Sequence, residues 1–258
     1  MTGRAYGYIE DAVDTRDYQF AAPHVIPNLP ALLDMGTNAN YPESYDQGFW
    51  GECVAFAVNF AMAHAVHVPH PADTFKRFSE MRTYYLARAL RGLEGQDSGC
   101  QIRDAIKVAA KQGMVDEVLW DYTAEHLFTP PPPDVLAAGL TQAAIQYSRI
   151  SSITVDNIRA ALFSGHPVVF GTLVYPAFES DEVARTGLVP MPQDGERPVG
   201  GHAMAIIGYD HKRRLFKVRN SWNPGWGDNG HAWMPYDYVA SLRYSSDFWV
   251  IQRAGQAA

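Results

Sequence analysis

The chain has 258 residues, of which 47% are hydrophobic and 19% are charged, so it is long enough to bury one large core or two packed lobes. This composition excludes disordered, collagen-like and disulfide-stapled classes of protein. Lys and Arg total 21 against 28 Asp and Glu, a net charge of −7, which argues against binding to nucleic acid or to an anionic membrane. No apolar run approaches the roughly 18 residues that a membrane span needs.

The cysteine content and the N-terminus bear on the compartment. Cys53 and Cys100 are too few for a disulfide framework and suit a reducing environment. Met1 to Glu10 lacks the apolar segment of a signal peptide. We therefore expect a cytoplasmic protein, or one exported without a recognisable signal peptide.

The first segment, Met1 to about Asn28, is polar, rich in Asp, Tyr and Pro, and has no sustained periodicity. Such a segment predicts an extended arm, which must lie over the rest of the chain to be ordered. By contrast, Cys53 to Val68 contains no Asp, Glu, Lys or Arg. This composition predicts a central helix that is apolar nearly all round. Phe75 to Leu93 and Ile102 to Gln112 are predicted as further helices, and Gly113 is expected to end the second.

A proline run at Pro130 to Pro133 cannot continue a helix, and we interpret it as the connector between two lobes. The β-rich stretches beyond it are Val168–Val174, His202–Tyr209, Leu215–Asn220 and His231–Met234. Helices followed by an antiparallel sheet predict an α+β fold. We expect an arm over residues 1–28, a mainly helical lobe over 29–133 and a mainly β lobe over 134–258.

Cys53 begins the predicted central helix, and that position has a chemical consequence. The unpaired N–H groups and the dipole of a helix N-terminus favour negative charge by about 0.3–1 kcal/mol, which makes a thiol there easier to ionise. The thiolate is the nucleophilic form of cysteine. A buried structural cysteine is the alternative that position alone leaves open.

Further residues with catalytic or binding chemistry lie in the predicted β lobe. His202 begins a strand directly after Gly201, and the glycine leaves the backbone open to the close approach of a ligand. Asn220 ends the next strand, and the loop after it carries Trp222 and Trp226, which usually cover another group. A histidine satisfied within the sheet and an aromatic hairpin plug are the structural alternatives. The order Cys, His, Asn is nonetheless that of a nucleophile, a base and an orienting residue.

Three sequence blocks resemble the signature blocks of papain-like cysteine peptidases: QGFWGECVAF at 47–56, GHAMAIIGYD at 201–210 and RNSWNPGWGDNG at 219–230. The arm, with Tyr6-Gly7-Tyr8-Ile9, is similar to the short N-terminal segment of bacterial members. The resemblance implies a two-lobe fold, with a helical left lobe, an antiparallel β-barrel-like right lobe and the active-site cleft between them.

Site residues follow from this resemblance. It implies that Cys53 is the nucleophile, that His202 is the general base and acid, and that Asn220 holds the imidazole. Gln47 would donate its side-chain N–H to the oxyanion, and the loss of one such donor typically costs about 10²–10³-fold in rate. Trp222 would shield the His–Asn pair from water.

The resemblance also implies a substrate groove, which Gly201 borders. Trp226 would line its leaving-group side. Gly99 and Cys100 align with a glycine pair whose backbone pairs with extended substrate. The Cys100 side chain is expected to crowd that wall, unless it is a buried residue with no role in binding.

Four residues depart from the family pattern. Trp50 and Asp97 stand where the family often has a disulfide, so packing is expected to hold this lobe. Val54 replaces a tryptophan that usually follows the nucleophile. Glu52 precedes the nucleophile, and a carboxylate there should oppose thiolate formation. We therefore expect Glu52→Ser to shift the acidic limb of activity to lower pH.

The sequence offers one candidate for a metal-binding site. His64, His67 and His70 are evenly spaced, but Pro69 interrupts the helix and no acidic or Cys ligand accompanies them at site spacing. We expect neither a metal nor another cofactor.

The leading functional hypothesis is an endopeptidase that acts through a thioester acyl-enzyme, with its own arm lying across the cleft as an inhibitory pro-segment. We expect a peptide or protein substrate, no nucleic acid or membrane partner, and a monomer. Two alternatives stay open: another Cys–His acyltransferase or amidase, and a silent peptide-binding module. Rapid labelling of Cys53 by an electrophile, lost in His202→Ala, would distinguish an enzyme from the silent module.

Overall fold

A computed structural model describes residues 4–20, 28–37, 41–67, 75–140 and 145–253 of the chain. The predicted α+β fold is confirmed, because a group of helices is followed along the chain by a large antiparallel sheet. The α-helices are α1 (Cys53–His67), α2 (Glu80–Ala89), α3 (Ile102–Gln112), α4 (Pro133–Leu140), α5 (Val155–Phe163), α6 (Asp181–Thr186) and α7 (Tyr236–Val239). The strands are β1 (Tyr8–Ile9), β2 (Leu32–Asp34), β3 (Cys100–Gln101), β4 (Ile145–Arg149), β5 (Val168–Val174), β6 (Gly200–Asp210), β7 (Leu215–Arg219), β8 (His231–Pro235) and β9 (Ser245–Arg253).

The first helix, α1, lies at the centre of the molecule. All of its side chains except that of Val66 are buried, since α2 and α3 cover one side while β6 and β9 cover the other. An apolar surface all round a helix requires such cover. The helix begins at Cys53 as predicted, and Val68, its predicted end, lies outside the described residues.

The two helices that follow differ in how well the sequence placed them. α3 has the predicted bounds, and Gly113 ends it with a φ of 64°. α2 begins at Glu80 rather than at Phe75, because Ser79 caps it: the Ser79 Oγ accepts the N–H of Arg82 at 3.1 Å.

The large sheet has the strand order β4-β9-β5-β6-β7-β8, with β2 paired to β6 as well. All of these pairings are antiparallel. Among the described strands the two edges, β4 and β8, do not pair with each other, so the sheet is open and the expected barrel-like closure is not formed. The chain at Leu188 covers the β8 edge through a parallel bridge to Trp233.

The core consists mainly of two large apolar clusters, one around α1, α2 and α3 and the other within the sheet. The proline run leads directly into α4, which begins at Pro133 and packs on α3. A lobe boundary at this point stays a prediction. In the described ranges, no helix combines the length and the apolar character needed to cross a membrane.

The arm lies between the helices and the sheet. Its strand β1 pairs in parallel with β3, so that Tyr8 is opposite Cys100 and Ile9 is opposite Gln101. Further along, Gln19 makes a parallel bridge to Arg149. Residues 4–20 of the arm therefore contact both parts of the body, as a polar segment without a core of its own requires.

Candidate active site

Cys53, the first residue of α1, meets the sheet through its side chain. The Cys53 Sγ accepts the backbone N–H of Ala203 at 3.4 Å, and Ala203 follows His202 in β6. The thiol is 0% exposed. The fold thus brings the head of the central helix against the strand that carries the histidine.

The imidazole of His202 is held by Asn220. Its Nε2 lies 2.8 Å from the Asn220 Oδ1, and the same oxygen accepts the N–H of Ser221 at 2.8 Å. Since this oxygen accepts, the proton on His202 belongs on Nε2, and Nδ1 carries the lone pair. Within the described part of the chain, Nδ1 has no hydrogen-bond partner. The pair therefore presents a buried, oriented imidazole with a free acceptor nitrogen.

Aromatic rings cover this pair. The Trp222 ring is 5.2 Å from the His202 ring and is 1% exposed. Trp226 packs against Trp222 at 5.2 Å and stacks on Phe178 at 5.4 Å. Phe178 also lies 6.4 Å from the imidazole, although nothing in the sequence singled it out. Together these rings keep water from the His–Asn hydrogen bond, and exclusion of water strengthens it.

Gln47 is locked by three hydrogen bonds. Its Oε1 accepts the Ser221 hydroxyl at 2.6 Å, and its Nε2 donates to the Trp50 carbonyl at 2.8 Å. The second hydrogen of that amide points to the carbonyl of Ala5, in the arm, at 3.4 Å. The donor expected at an oxyanion site is thus oriented by the body and faces a carbonyl of the arm.

The backbone of the arm packs closely against the groove at positions where only glycine fits. A Cβ on Gly7 would lie 1.7 Å from the Gly51 carbonyl oxygen, and a Cβ on Gly99 would lie 2.3 Å from the Gly7 carbonyl oxygen. The N–H of Cys100 donates to that Gly7 oxygen at 2.9 Å. The backbone of the arm therefore pairs with the groove wall that the sequence assigned to substrate.

The side chain of Cys100 is 5% exposed with the arm docked and packs in the apolar cluster of the helical side, and its backbone pairs with Tyr8 of the arm. The expected crowding of this wall by the thiol stays a prediction. Gly201 borders the opposite side of the groove, where an added Cβ would lie 2.8 Å from the Tyr8 carbonyl oxygen. Both assigned groove residues thus contact the arm.

Burial controls the protonation of the two reactive groups. It raises the pKa of Cys53 to about 11, although the backbone amides of Ala203 and Gly7 offset part of the increase. Burial also lowers the pKa of His202 to about 4. With the arm in place, desolvation favours the neutral thiol and the neutral imidazole over the expected thiolate.

Glu52, which precedes the nucleophile, is buried within the helical side. Neither carboxyl oxygen has a hydrogen-bond partner among the described residues, because the nearby Tyr122 hydroxyl donates to the Gln47 carbonyl at 2.6 Å. Burial, and then the Glu80 carboxylate, raise the pKa of Glu52 well above its usual range. The neutral acid is favoured, and the opposing charge expected beside Cys53 is not.

Hydrogen bonds stand where the family often has a disulfide. Asp97 accepts the Tyr84 hydroxyl at 2.6 Å and the N–H of Gly51 at 3.1 Å. Trp50 packs its ring on Tyr122 at 5.3 Å. The segment before Cys53 is thus held by a carboxylate as well as by the packing that the sequence predicted.

The histidines considered as metal ligands differ in their surroundings. The His67 ring packs against Phe75 at 5.1 Å, and neither of its nitrogens has a hydrogen-bond partner within the described ranges. His64 uses both ring nitrogens, at 2.7 Å from the Tyr41 hydroxyl and at 2.9 Å from the Gly165 carbonyl oxygen. His70 lies outside the described residues. The described ranges contain no group of three or more His, Cys, Asp and Glu side chains placed to hold a metal ion.

Two arm tyrosines contact the site, although neither was expected from the sequence to have a role there. The Tyr6 ring is 5.9 Å from the His202 ring, and its hydroxyl donates to the Glu179 Oε1 at 2.5 Å. Tyr8 enters the groove beside Gly201. The signal that could have identified them is a Tyr-Gly-Tyr sequence within an otherwise polar arm.

Ion pairs hold the arm beyond the groove, and the sequence did not predict them. Asp17 is bound by Arg103 through two hydrogen bonds of 3.1 and 2.5 Å and lies 3.5 Å from Arg149. Asp11 accepts the N–H of Arg103 at 3.1 Å and the indole N–H of Trp249 at 2.9 Å. These pairs are largely buried, which makes them costly to break singly.

Comparisons with known proteins agree with this geometry. The family model described as papain family cysteine protease matches residues 29–246. The chain is 35% identical over 271 residues to the uncharacterized peptidase C1-like protein L477 of Acanthamoeba polyphaga mimivirus, with 96% of this chain and 87% of that protein covered. It is also similar to the crystal structure of xylellain, a cysteine protease from Xylella fastidiosa, at 31% identity and a TM-score of 0.88, with 97% of each chain covered. Digestive procathepsin L 3 of Tenebrio molitor larval midgut shares the fold, at 18% identity and a TM-score of 0.68, with 98% of this chain and 76% of that chain covered.

Proposed function

Because this chain belongs to the papain family of cysteine proteases, and is therefore a hydrolase, we propose that it is an endopeptidase that cleaves peptide bonds through a thioester on Cys53 and that its own arm inhibits it. One observation carries the proposal. The Asn220 Oδ1 holds the His202 Nε2 at 2.8 Å and leaves Nδ1 free, while the next residue in the strand, Ala203, contacts the Cys53 sulfur.

The reaction begins when the arm leaves and a peptide enters. The Cys53 sulfur attacks the carbonyl carbon, and its proton passes to the His202 Nδ1, the nitrogen that has no other partner. The tetrahedral intermediate collapses, the C–N bond breaks, and the imidazolium gives its proton to the leaving amine. Water, deprotonated by the same imidazole, then attacks the thioester and releases the acid and the thiol.

Three further side chains support these steps. Asn220 keeps the imidazole in the tautomer with its proton on Nε2. Gln47 and the N–H of Cys53 donate to the oxyanion, and the Ser221 hydroxyl bond orients the Gln47 amide before the substrate arrives. Trp222 excludes water from the imidazole.

The direction in which the arm crosses the groove supports its role as an inhibitor. A substrate is expected to place its acyl part along Gly99 and Cys100 and its leaving group towards Trp226. The arm runs in the opposite direction: Arg4 lies over the Trp222 ring at 4.5 Å, and Tyr8 lies beside Cys100. Its peptide bonds are thereby presented in reverse, so the groove is filled by a segment that the nucleophile is not placed to cut.

A substitution in the full-length chain tests both parts of the proposal. Gly7→Val places a side chain where a Cβ alone would lie 1.7 Å from the Gly51 carbonyl oxygen, so the arm can no longer occupy the groove. We expect this variant to hydrolyse fluorogenic peptides much faster than the wild type. Val13→Ala, at a 93% exposed position of the same arm, serves as the control and should leave the rate unchanged.

The outcomes separate the two parts. If Gly7→Val and the wild type hydrolyse peptides at equal rates, the inhibitory role of the arm is refuted while the endopeptidase stands. If neither chain hydrolyses any peptide, and Cys53→Ala matches both, the protein is a silent binding module. Rapid alkylation of Cys53 in Gly7→Val, lost when His202→Ala is added, supports the nucleophile and its base.

A further inference from the structure

Hydrogen bonds hold both ends of the peptide unit that joins Trp50 to Gly51, just before the nucleophile. Its carbonyl oxygen, which belongs to Trp50, accepts the side-chain N–H of Gln47 at 2.8 Å and the backbone N–H of Glu52 at 2.9 Å. Its N–H, which belongs to Gly51, donates to the Asp97 carboxylate, with Oδ1 at 3.1 Å and Oδ2 at 3.2 Å. Because a trans peptide unit is planar, its C=O and N–H point in opposite directions. Asp97 therefore fixes the direction in which the Trp50 carbonyl points.

The orientation of the Gln47 amide depends on this carbonyl. Of the two hydrogens on Nε2, one is taken by the Trp50 oxygen and the other points to the Ala5 carbonyl of the arm at 3.4 Å. If the Trp50 carbonyl turned away, Nε2 would lose the acceptor that aims its second hydrogen, and only the Ser221 hydroxyl would hold the amide, at its other end. A donor stabilises an oxyanion well only when it is aimed before the charge forms.

Asp97 lies in an exposed loop, but a buried part of α2 holds it. The Tyr84 hydroxyl donates to its Oδ1 at 2.6 Å, and Arg88, one turn later in α2, donates to the Gln96 carbonyl at 2.5 Å. The Arg88 guanidinium also lies over the Tyr84 ring at 4.0 Å. Burial, and then the hydrogen bond to Asp97, raise the pKa of Tyr84 well above its usual range, so its hydroxyl stays protonated and remains a donor.

Tyr84 also holds one wall of the groove. Its hydroxyl oxygen accepts the N–H of Gly99 at 2.8 Å, and the next residue, Cys100, donates its own N–H to the Gly7 carbonyl of the arm. Gly99 is buried, so its N–H would be left unpaired without that hydroxyl. Gly7 contacts Gly99 on this wall and Gly51 next to the nucleophile. Asp97 and Tyr84 together therefore join the two backbone segments that the arm contacts here.

We propose that Asp97 and Tyr84 are positioning residues of the active site. Asp97 orients Gln47, the oxyanion donor, through the Trp50–Gly51 peptide. Tyr84 fixes the groove wall at Gly99. The inference rests on the proposed function, because it assumes that an oxyanion forms beside Gln47.

A hydrogen bond that only replaced the disulfide of other family members would give a different result. Its loss would lower the temperature of unfolding, and well below that temperature the chain would keep its kcat. An orienting role predicts a lower kcat in a chain that is still folded, because the oxyanion forms only as the reaction proceeds and is absent from the bound substrate.

Substitutions of Asp97 in the full-length Gly7→Val chain distinguish these explanations. Asp97→Ala should lower kcat for a fluorogenic peptide about 10-fold, with KM within about twofold of the parent value. Asp97→Asn keeps an acceptor for the Gly51 N–H, so kcat should stay within about threefold of the parent value. Gln96→Ala, at an exposed position of the same loop, is the matched control and should change neither constant. Equal losses of kcat in Asp97→Asn and Asp97→Ala, or no loss in either, would overturn the role of Asp97.

Tyr84→Phe should divide between the two constants in the opposite way. The substitution keeps the ring and the bond between Asp97 and Gly51, but it removes the acceptor of the Gly99 N–H. We expect KM to rise about fivefold or more while kcat stays within about twofold of the parent value. A fall in kcat with KM unchanged would show that Tyr84 does not act on the groove wall.

A peptide aldehyde separates this inference from the proposed function. The Cys53 sulfur adds to the aldehyde carbon, the thiol proton passes to the aldehyde oxygen, and that oxygen takes the place of the oxyanion. The corresponding peptide alcohol fills the same groove but cannot react. Both are labelled with fluorescein, and anisotropy measures their binding to the Gly7→Val chain and to the same chain with Asp97→Ala added. Asp97→Ala should weaken binding of the aldehyde about 10-fold and that of the alcohol by less than about twofold.

The outcomes are distinguishable. Selective weakening of the aldehyde, in a Gly7→Val chain that hydrolyses no peptide, supports the positioning role and overturns the protease. Equal weakening of aldehyde and alcohol, or none, in a chain that does hydrolyse peptides overturns the positioning role and leaves the protease intact. If Asp97→Ala does not fold, Asp97→Asn and Tyr84→Phe still decide the matter, because an unchanged kcat and KM in a folded Tyr84→Phe chain contradicts the assignment of the wall.

Discussion

Replacing Tyr8 by Phe in the full-length chain measures how firmly the arm is held. The substitution keeps the ring but removes the 2.6 Å hydrogen bond to the buried Asp247 carboxylate and the 2.7 Å contact with Ser246. A hydrogen bond to a charged group contributes about 1.5–3 kcal/mol. Since each 1.4 kcal/mol is a factor of ten, the equilibrium between the released and docked arm should shift towards release by about 10- to 150-fold.

Alkylation of Cys53 by iodoacetamide reports this equilibrium. The thiol is 0% exposed beneath the arm, so it reacts only in the released state, and its rate follows the released fraction. Cys100 is also buried, but its backbone pairs with Tyr8 of the arm, so amide exchange of α1 rather than alkylation of Cys100 is the reference for unfolding of the body. We expect the adduct on Cys53, located by mass, to form about 10- to 150-fold faster in Tyr8→Phe than in the wild type.

Two results would refute the reasoning. A change of less than about twofold would mean that the phenol contributes little to docking, because water replaces it at Asp247. An equal acceleration of amide exchange in α1 would mean that the whole body opens rather than the arm. Val13→Ala, on the exposed face of the arm, should leave both rates unchanged.

Three further predictions concern protonation and positioning. Burial and the Asp247 carboxylate raise the pKa of Asp11 to about 6, so the docked arm binds this proton more tightly than the released arm does. The protection of the arm amides from hydrogen exchange, corrected for intrinsic rates, should therefore rise as the pH falls from about 7 to about 4. Asp11→Asn should remove that increase. Because burial favours the neutral acid of Glu52, Glu52→Gln in an arm-released chain should leave the acidic limb of the pH–rate profile where it is. A shift of that limb would mean that Glu52 is charged and opposes ionisation of Cys53. Ser221→Ala removes the 2.6 Å bond that orients the Gln47 amide, so kcat should fall about 10-fold with KM nearly unchanged, and a rise in KM alone would contradict a role in orienting the oxyanion donor.

The sequence was informative wherever a local pattern determines the outcome. The absence of charge after Cys53 predicted the start and the burial of α1, because a helix with no polar face must be covered on all sides. Gly113 predicted the end of α3, since glycine readily adopts a positive φ, here 64°, with which a helix cannot continue. The order and surroundings of Cys53, His202 and Asn220 predicted the family, which the comparisons confirm.

The sequence was less informative wherever partners are distant along the chain. Ser79, rather than the apolar pattern from Phe75, decides where α2 begins, because capping outweighs periodicity at a helix end. The open edges of the sheet depend on which strands meet, and no short pattern encodes that choice.

Only the tertiary structure decided the state of the site. The dipole of α1 suggested a thiolate, but the arm and the sheet close over Cys53, and desolvation raises its pKa to about 11. The carboxylate of Asp247, far from Tyr8 in sequence, accepts the Tyr8 hydroxyl, and it lies where β9 bulges between its pairs with β5, which no local sequence pattern predicted. Residue types and their order along the chain determine which chemistry is available, whereas protonation and access depend on burial by segments that only folding brings together.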